Sequence, residues 1–150
     1  MLHTITSLQD PLIHLLADDP VRPEIPAEFR VSATTEILVL QDNGTHEPMA
    51  VVCVAYRDFT PADILELARE PTGLATTAVF YTIWSYAPGA GRELLMQTVQ
   101  EIKERFPSIT RFVTLSPKTN MARRFHLKNG AIVYRENVDT TNYEYKVNQE

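Results

Sequence analysis

The chain has 150 residues, 44% of them hydrophobic and 22% charged, with a net charge of −5 at neutral pH. That length suits a single domain over residues 1–150 with a sizeable apolar core, and the usage is neither disordered nor fibrous. The acidic balance argues against a broad surface for a phosphate backbone, so no nucleic-acid partner is expected.

The opening stretch, MLHTITSLQDPLIHLL, has no basic segment ahead of a small-residue cleavage site. No apolar run nears the ~18 residues of a membrane span, so a cytoplasmic protein with no membrane partner is expected. Residues 7–17 read as a short helix interrupted at Pro11. DDPVRPEIPAEF carries three prolines and reads as an extended connector without a helix. TEILVLQD, residues 35–42, is β-rich, Asn43-Gly44 signals a turn, and PMAVVCVAYRD is apolar enough to be buried on both faces. The two form a hairpin. Cys53, the single cysteine, reads as a small core residue.

In TPADILELARE, Thr60 fits a helix cap with Pro61 at the first helical position, and Pro71-Thr72-Gly73 ends the helix. TTAVFYTIWSY is an aromatic, β-branched strand broken by APGAG. From Gly91 to Phe106, Leu94, Leu95, Thr98, Val99, Ile102 and Phe106 recur on one helical stripe. ITRFVTL is a strand closed by Ser116-Pro117. A short helix from about Asn120 to Asn129 stops at Gly130, and AIVYRE and NYEYKV are two last strands. Strands 77–86 and 109–115 flank the long helix as a βαβ unit and so run parallel. The pattern predicts an α/β fold, with a mixed central sheet and helices on both faces.

Two stretches carry chemistry. SYAPGAGRELL sets Gly89 and Gly91 between a strand and the long helix. Such glycines let backbone N–H groups approach an anion, and the helix N-terminus adds about half a positive charge, which suits a pyrophosphate. A plain tight turn stands as the alternative. The dinucleotide fingerprint fails because Leu94 stands where its third glycine belongs, and the Walker pattern is absent. TLSPKTNMARRFHLKNGA then puts Ser116 at a strand end and His126 on the next helix. Ser-Pro is commonly a turn, and a helical His is commonly a satisfied core residue, so a catalytic pair is one reading of two. The four histidines, His3, His14, His46 and His126, show no ligand spacing, and no metal is expected. Tyr81, Trp84 and Tyr86 read as core or pocket wall, Tyr143 and Tyr145 as strand packing, and Arg123-Arg124 as a solvated helix edge.

These segments resemble the GNAT superfamily of acyl-CoA enzymes. Its Q/R-x-x-G-x-G/A loop, which holds the CoA pyrophosphate, is matched by Gly89 and Gly91 with Tyr86 in the first position. The resemblance implies Ser85, Tyr86, Gly89, Ala90, Gly91 and Arg92 as the CoA-binding set. ARRFHLKNGA follows the superfamily's A-x-x-[LF]-Y-x-x-x-G-[FA], with His126 where transferases usually place a tyrosine proton donor. More specifically, EPMAVVCVAY, TTAVFYTIWS, FVTLSP, RFHLKNGA and NYEY, in this order over roughly residues 36–146, are similar to segments of the malonyl-CoA decarboxylase catalytic domain, itself of GNAT fold. The chain looks like a truncated form, without that family's helical N-terminal domain and with the segment between TLSP and FHL compressed to the eight residues Lys118–Phe125.

The resemblance implies Ser116 and His126 as the catalytic pair, a coenzyme A thioester as substrate and no bound cofactor. The expected reaction is decarboxylation of malonyl-CoA or a related acyl-CoA. An N-acyltransferase using acetyl-CoA and a non-catalytic CoA-binding module are the alternatives. Ser116 would orient the carboxylate, and His126, with an ordinary pKa near 6.5, would donate a proton. Backbone N–H groups near Ser85 and Tyr86 would meet the thioester oxygen. The partner is a small-molecule acyl-CoA, and homo-oligomerisation stays open.

Overall fold

The computed structural model of the protein describes residues 1–146. It opens with a strand that the sequence did not announce, β1 (Leu2–Ile5), which pairs antiparallel with β2 (Thr35–Gln41) from Leu2↔Leu40 to Ile5↔Ile37. Four residues of mixed polarity carry almost no period-2 signal, and the partner supplies what propensity does not. The helix expected over residues 7–17 is a 3-10 helix over Ile13–Asp18, beginning only after Pro11. Within the proline-rich connector a single turn, α1 (Ala27–Arg30), forms directly after Pro26.

The β2–β3 hairpin forms as the two apolar runs predict, with β3 at Pro48–Arg57. Its turn is longer than a two-residue Asn-Gly turn. Asp42 Oδ2 accepts the N–H groups of Gly44 and Thr45 at 2.9 Å each, holding the loop closed. The helix expected over 60–70 shrinks to one turn, α2 (Ile64–Leu67), capped by Asp63 rather than Thr60. The cause is tertiary. The carbonyls of Pro61 and Ala62, which a helix would use internally, accept side-chain hydrogen bonds from Asn142 at 2.9 Å and Thr140 at 2.6 Å.

β4 (Thr77–Ser85) pairs antiparallel with β3, and α3 (Ala90–Arg105) carries the chain to β5 (Arg111–Thr114), which runs parallel to β4. Two residues, Ser116–Pro117, form β6, and α4 (Asn120–Lys128) follows, capped by the Thr119 hydroxyl on the Ala122 N–H at 3.1 Å. β7 (Ala131–Glu136) and β8 (Thr140–Tyr145) are the last described strands. The predicted second strand reached Val147, which lies outside the described residues. β8 enters between earlier strands, pairing with β5 and β6 along one edge and with β7 along the other. Among the described residues the result is one eight-stranded mixed sheet.

Successive residues of β2 and β3 feed two cores, which is why both strands are apolar almost throughout. Ile37, Val39, Val51 and Cys53 face the layer that holds Leu15 and Leu67, while Leu38, Leu40, Val52 and Val54 lie under Leu94 and Ile102 of α3. Each such fully buried side chain contributes about 1.5–3 kcal/mol.

Candidate active site

The site begins where the β4–β5 ladder stops. Pairing runs from Thr77↔Arg111 to Phe80↔Thr114, and the Leu115 N–H makes the last bond, to the Phe80 carbonyl at 3.1 Å. At this level β4 has a bulge. Cys53 pairs with Thr82 and Val54 with Phe80, which leaves Tyr81 without a partner on β3. β4 continues along β3, while the line of β5 passes to β6, whose partner is Thr140–Thr141 of β8. The two parallel strands diverge and leave a slot of about 320 Å³. Its lining draws on both faces of the sheet, Tyr81 and Trp84 from one and Phe80 and Ile83 from the other, with Phe125 and His126 of α4.

Ser116 and His126 both line this slot. Ser116 is buried on β6, and its hydroxyl donates to Thr114 Oγ1 at 2.8 Å. Thr114 is fixed in turn by the Tyr143 N–H on its hydroxyl at 3.0 Å and by Asn142 Nδ2 on its carbonyl at 2.7 Å. The serine hydrogen is thus parked on a rigid neighbour, and a bond rotation turns it to a ligand.

His126 is only 3% exposed, stacked on the Tyr143 ring with centroids 5.0 Å apart, and its Nδ1 lies 2.7 Å from the Tyr145 hydroxyl. Burial pushes the imidazole down to about 4, so it is neutral at physiological pH. The expectation of an unperturbed histidine near 6.5 therefore does not hold in this packing. Burial also raises the Tyr145 phenol, which stays protonated beside Nδ1. Sequence reading gave Tyr143 and Tyr145 packing roles; the first does pack, and the second also hydrogen-bonds the imidazole. Nothing in a strand sequence distinguishes the two.

The glycine loop is built as a strand-to-helix turn. Gly89, the residue before α3, has φ +77°, a conformation open to glycine. The first-turn N–H groups of Gly91 and Arg92 have no acceptor within the helix. Gly91 lines the slot, and a Cβ there would lie 3.0 Å from Phe125 Cε1, so α3 and α4 meet at this point. Ala90 is buried and Ser85 lines the slot. Arg92 turns outward to Asn129 Oδ1 at 3.2 Å, beside a second cavity of about 340 Å³. The Tyr86 N–H already donates to the Met49 carbonyl at 2.8 Å, and its hydroxyl donates to Asp18 at 2.7 Å while accepting from Trp84 Nε1 at 3.0 Å. Arg123 and Arg124 are exposed, and Cys53 is fully buried with its thiol pushed up to about 12 by burial. Among the described residues no cluster of three or more His, Cys, Asp or Glu could hold a metal, and no helix is long and apolar enough to cross a membrane.

The proline-rich N-terminal connector supplies what sequence reading missed. Asp19 and Arg30 form a fully buried ion pair at 2.6 Å, and Asp19 Oδ1 accepts the N–H groups of Val21 at 2.7 Å and Arg22 at 3.0 Å. Pro20 and Val21 thereby reach the wall of the slot. The one available signal was a charged pair inside a proline-rich stretch, which reads equally as solvated linker.

Solved structures share this architecture. A malonyl-CoA decarboxylase from Agrobacterium vitis superposes with a TM-score of 0.78 at 20% identity, over 98% of this chain and 60% of that one. The malonyl-CoA decarboxylase from Rhodopseudomonas palustris gives 0.74 at 21% identity, with the same coverage of 98% and 60%. A GNAT family acetyltransferase from Elizabethkingia anophelis, solved with acetyl-CoA bound, gives 0.64 at 13% identity over 98% of this chain and 97% of that one. These likenesses establish the GNAT-like α/β fold, and the chain spans 60% of the length of the two decarboxylases. No curated protein matches it in sequence. The family model for the malonyl-CoA decarboxylase C-terminal domain matches residues 40–124, more than half the chain, ending between Ser116 and His126. The chain therefore belongs to the malonyl-CoA decarboxylase C-terminal domain family.

Proposed function

We propose that the protein decarboxylates malonyl-CoA, or a related acyl-CoA carrying a carboxylate next to the thioester, with Ser116 and His126 as the acting pair. The observation that carries this reading is their common position on one largely apolar slot, with His126 neutral and its Nδ1 held by Tyr145. The acyl group enters between β4 and β6, with the pyrophosphate at the N-terminus of α3. In that apolar setting the carboxylate loses water, which raises its energy relative to the charge-delocalised transition state. The C–C bond breaks, carbon dioxide leaves, and the electron pair passes into the thioester as an enolate. Tyr145 donates to Nδ1, and the Nε2–H of the neutral imidazole donates to the developing oxygen, as a preorganised dipole would. The α-carbon then takes that proton while Nδ1 takes the one from Tyr145, so no free imidazolate forms; Nδ1 returns its proton to the phenolate as Nε2 takes one from solvent, which restores both groups. Ser116 turns its hydroxyl to orient the carboxylate.

Transfer to an amine fits the slot less well. Among the described residues its lining includes no aspartate, glutamate or lysine, so an acceptor amine would lack a carboxylate base. Incubation with malonyl-CoA is expected to yield acetyl-CoA and carbon dioxide, with His126→Ala reducing turnover to background. Equal turnover in that variant, or product only when an amine is added to acetyl-CoA, removes the reading.

A further inference from the structure

The divergence of β4 and β5 needs a cause, because two parallel strands in register gain a hydrogen bond with each further step. Where the ladder ends, the carbonyls of Tyr81 and Leu115 lose their partners in the sheet. Both accept from one guanidinium: Arg22 Nε donates to Tyr81 at 3.4 Å and Arg22 Nη2 to Leu115 at 2.9 Å. We propose that Arg22 is a positioning residue that wedges the sheet open, fixing the width of the slot and the place of Ser116, one residue beyond Leu115.

Several independent contacts aim this side chain. The Arg22 N–H is held by Asp19 Oδ1 at 3.0 Å, and its carbonyl accepts from Arg30 Nη2 at 2.6 Å. The same Asp19 oxygen accepts the Thr82 hydroxyl at 2.9 Å, tying the connector to β4 beside the bulge. Asp19 itself is locked by its buried pair with Arg30. A planar fork donates to two separated acceptors at once, whereas a lysine ammonium is a single point of charge and an apolar side chain satisfies neither carbonyl. Each carbonyl left buried and unpaired costs about 1–3 kcal/mol, so without the fork the strands have a reason to close. Arg22 does not itself line the slot; it acts through Tyr81 and Leu115, which do.

The test has one arm that needs no substrate. In Arg22→Ala, amide hydrogen exchange at residues 81–83 and 115–116 is expected to change at least tenfold while the β1–β2 pairing keeps its wild-type rates, and millimolar methylguanidinium restores the wild-type pattern. Arg22→Lys retains the charge and so guards against simple misfolding; it shows the same local change, which methylguanidinium does not reverse. A uniform change across the sheet, no change near the slot, or no rescue of Arg22→Ala overturns the proposal. The second arm rests on the decarboxylase reading. With malonyl-CoA, Arg22→Ala is expected to lose about 10-fold to 100-fold in kcat/KM, recovered by methylguanidinium, in keeping with two lost carbonyl partners. If the wild type turns over no malonyl-CoA, the decarboxylase reading fails and the exchange arm still decides the wedge. If turnover is normal in Arg22→Ala, the wedge fails and the reaction stands.

Discussion

His126 shows how far a residue's surroundings redefine its chemistry. Its place on α4 was legible from FHL alone, but its protonation state was not, because that depends on Tyr143 and Tyr145 arriving from a strand far along the chain. With the folded imidazole at about 4 against an ordinary value near 6.5, the unfolded chain binds the extra proton first as pH falls. Stability from this group is therefore full above about 6.5 and is lost progressively down to about 4. Urea midpoints of wild type and His126→Gln should run parallel from pH 8 to 7 and then converge or cross below 6.5, the wild type falling faster. For the same reason kcat/KM of the proposed reaction should show no step near 6.5, only a fall toward 4, read from a pH–rate profile. Tyr145→Phe removes the phenol that hands its proton to Nδ1, so kcat in the proposed reaction is expected to fall about 100-fold or more with KM little changed, read from steady-state kinetics.

Among the elements, the parallel βαβ unit was plain from sequence, since a long amphipathic helix between two apolar strands leaves few other connections. The elements that departed did so where tertiary bonds overrode local preference. α2 lost its first turn because the carbonyls of Pro61 and Ala62 serve β8, and β1 exists because β2 offers an edge. The contact of α3 with α4 is similarly invisible until the helices are placed. Gly91→Ala would put a methyl group 3.0 Å from the Phe125 ring, so that ring, which lines the slot, must give by a few tenths of an ångström. Overpacking of this kind costs about 1–3 kcal/mol, measurable as a lower Tm, and calorimetry should show weaker binding of CoA thioesters because the slot loses its wall.

Across the whole molecule, the slot depends on parts from opposite ends of the chain. Family motifs lie in the middle and revealed Ser116 and His126, whereas the Asp19–Arg30 pair that supports the opposite wall has no motif at all. Arg30→Met leaves Asp19 charged and buried, and about 3–5 kcal/mol of stability should be lost, a drop of roughly 6–20 °C in Tm. Adding Asp19→Leu should not return it, because Asp19 Oδ1 also accepts the N–H groups of Val21 and Arg22 and the Thr82 hydroxyl, which leucine leaves unpaired. Differential scanning of the two variants distinguishes these outcomes.

β8 bears most heavily on how the proposed site is assembled. It pairs with Ser116 through Thr141, fixes Thr114 through Asn142 and Tyr143, and hydrogen-bonds His126 through Tyr145, yet among the described strands it comes last in the chain and must insert between two that precede it. A compact intermediate holding β1 to β5 would bury Trp84 and look native by fluorescence while remaining inert. Refolding from urea should therefore restore tryptophan emission before turnover, the lag between them timing the entry of that final ribbon.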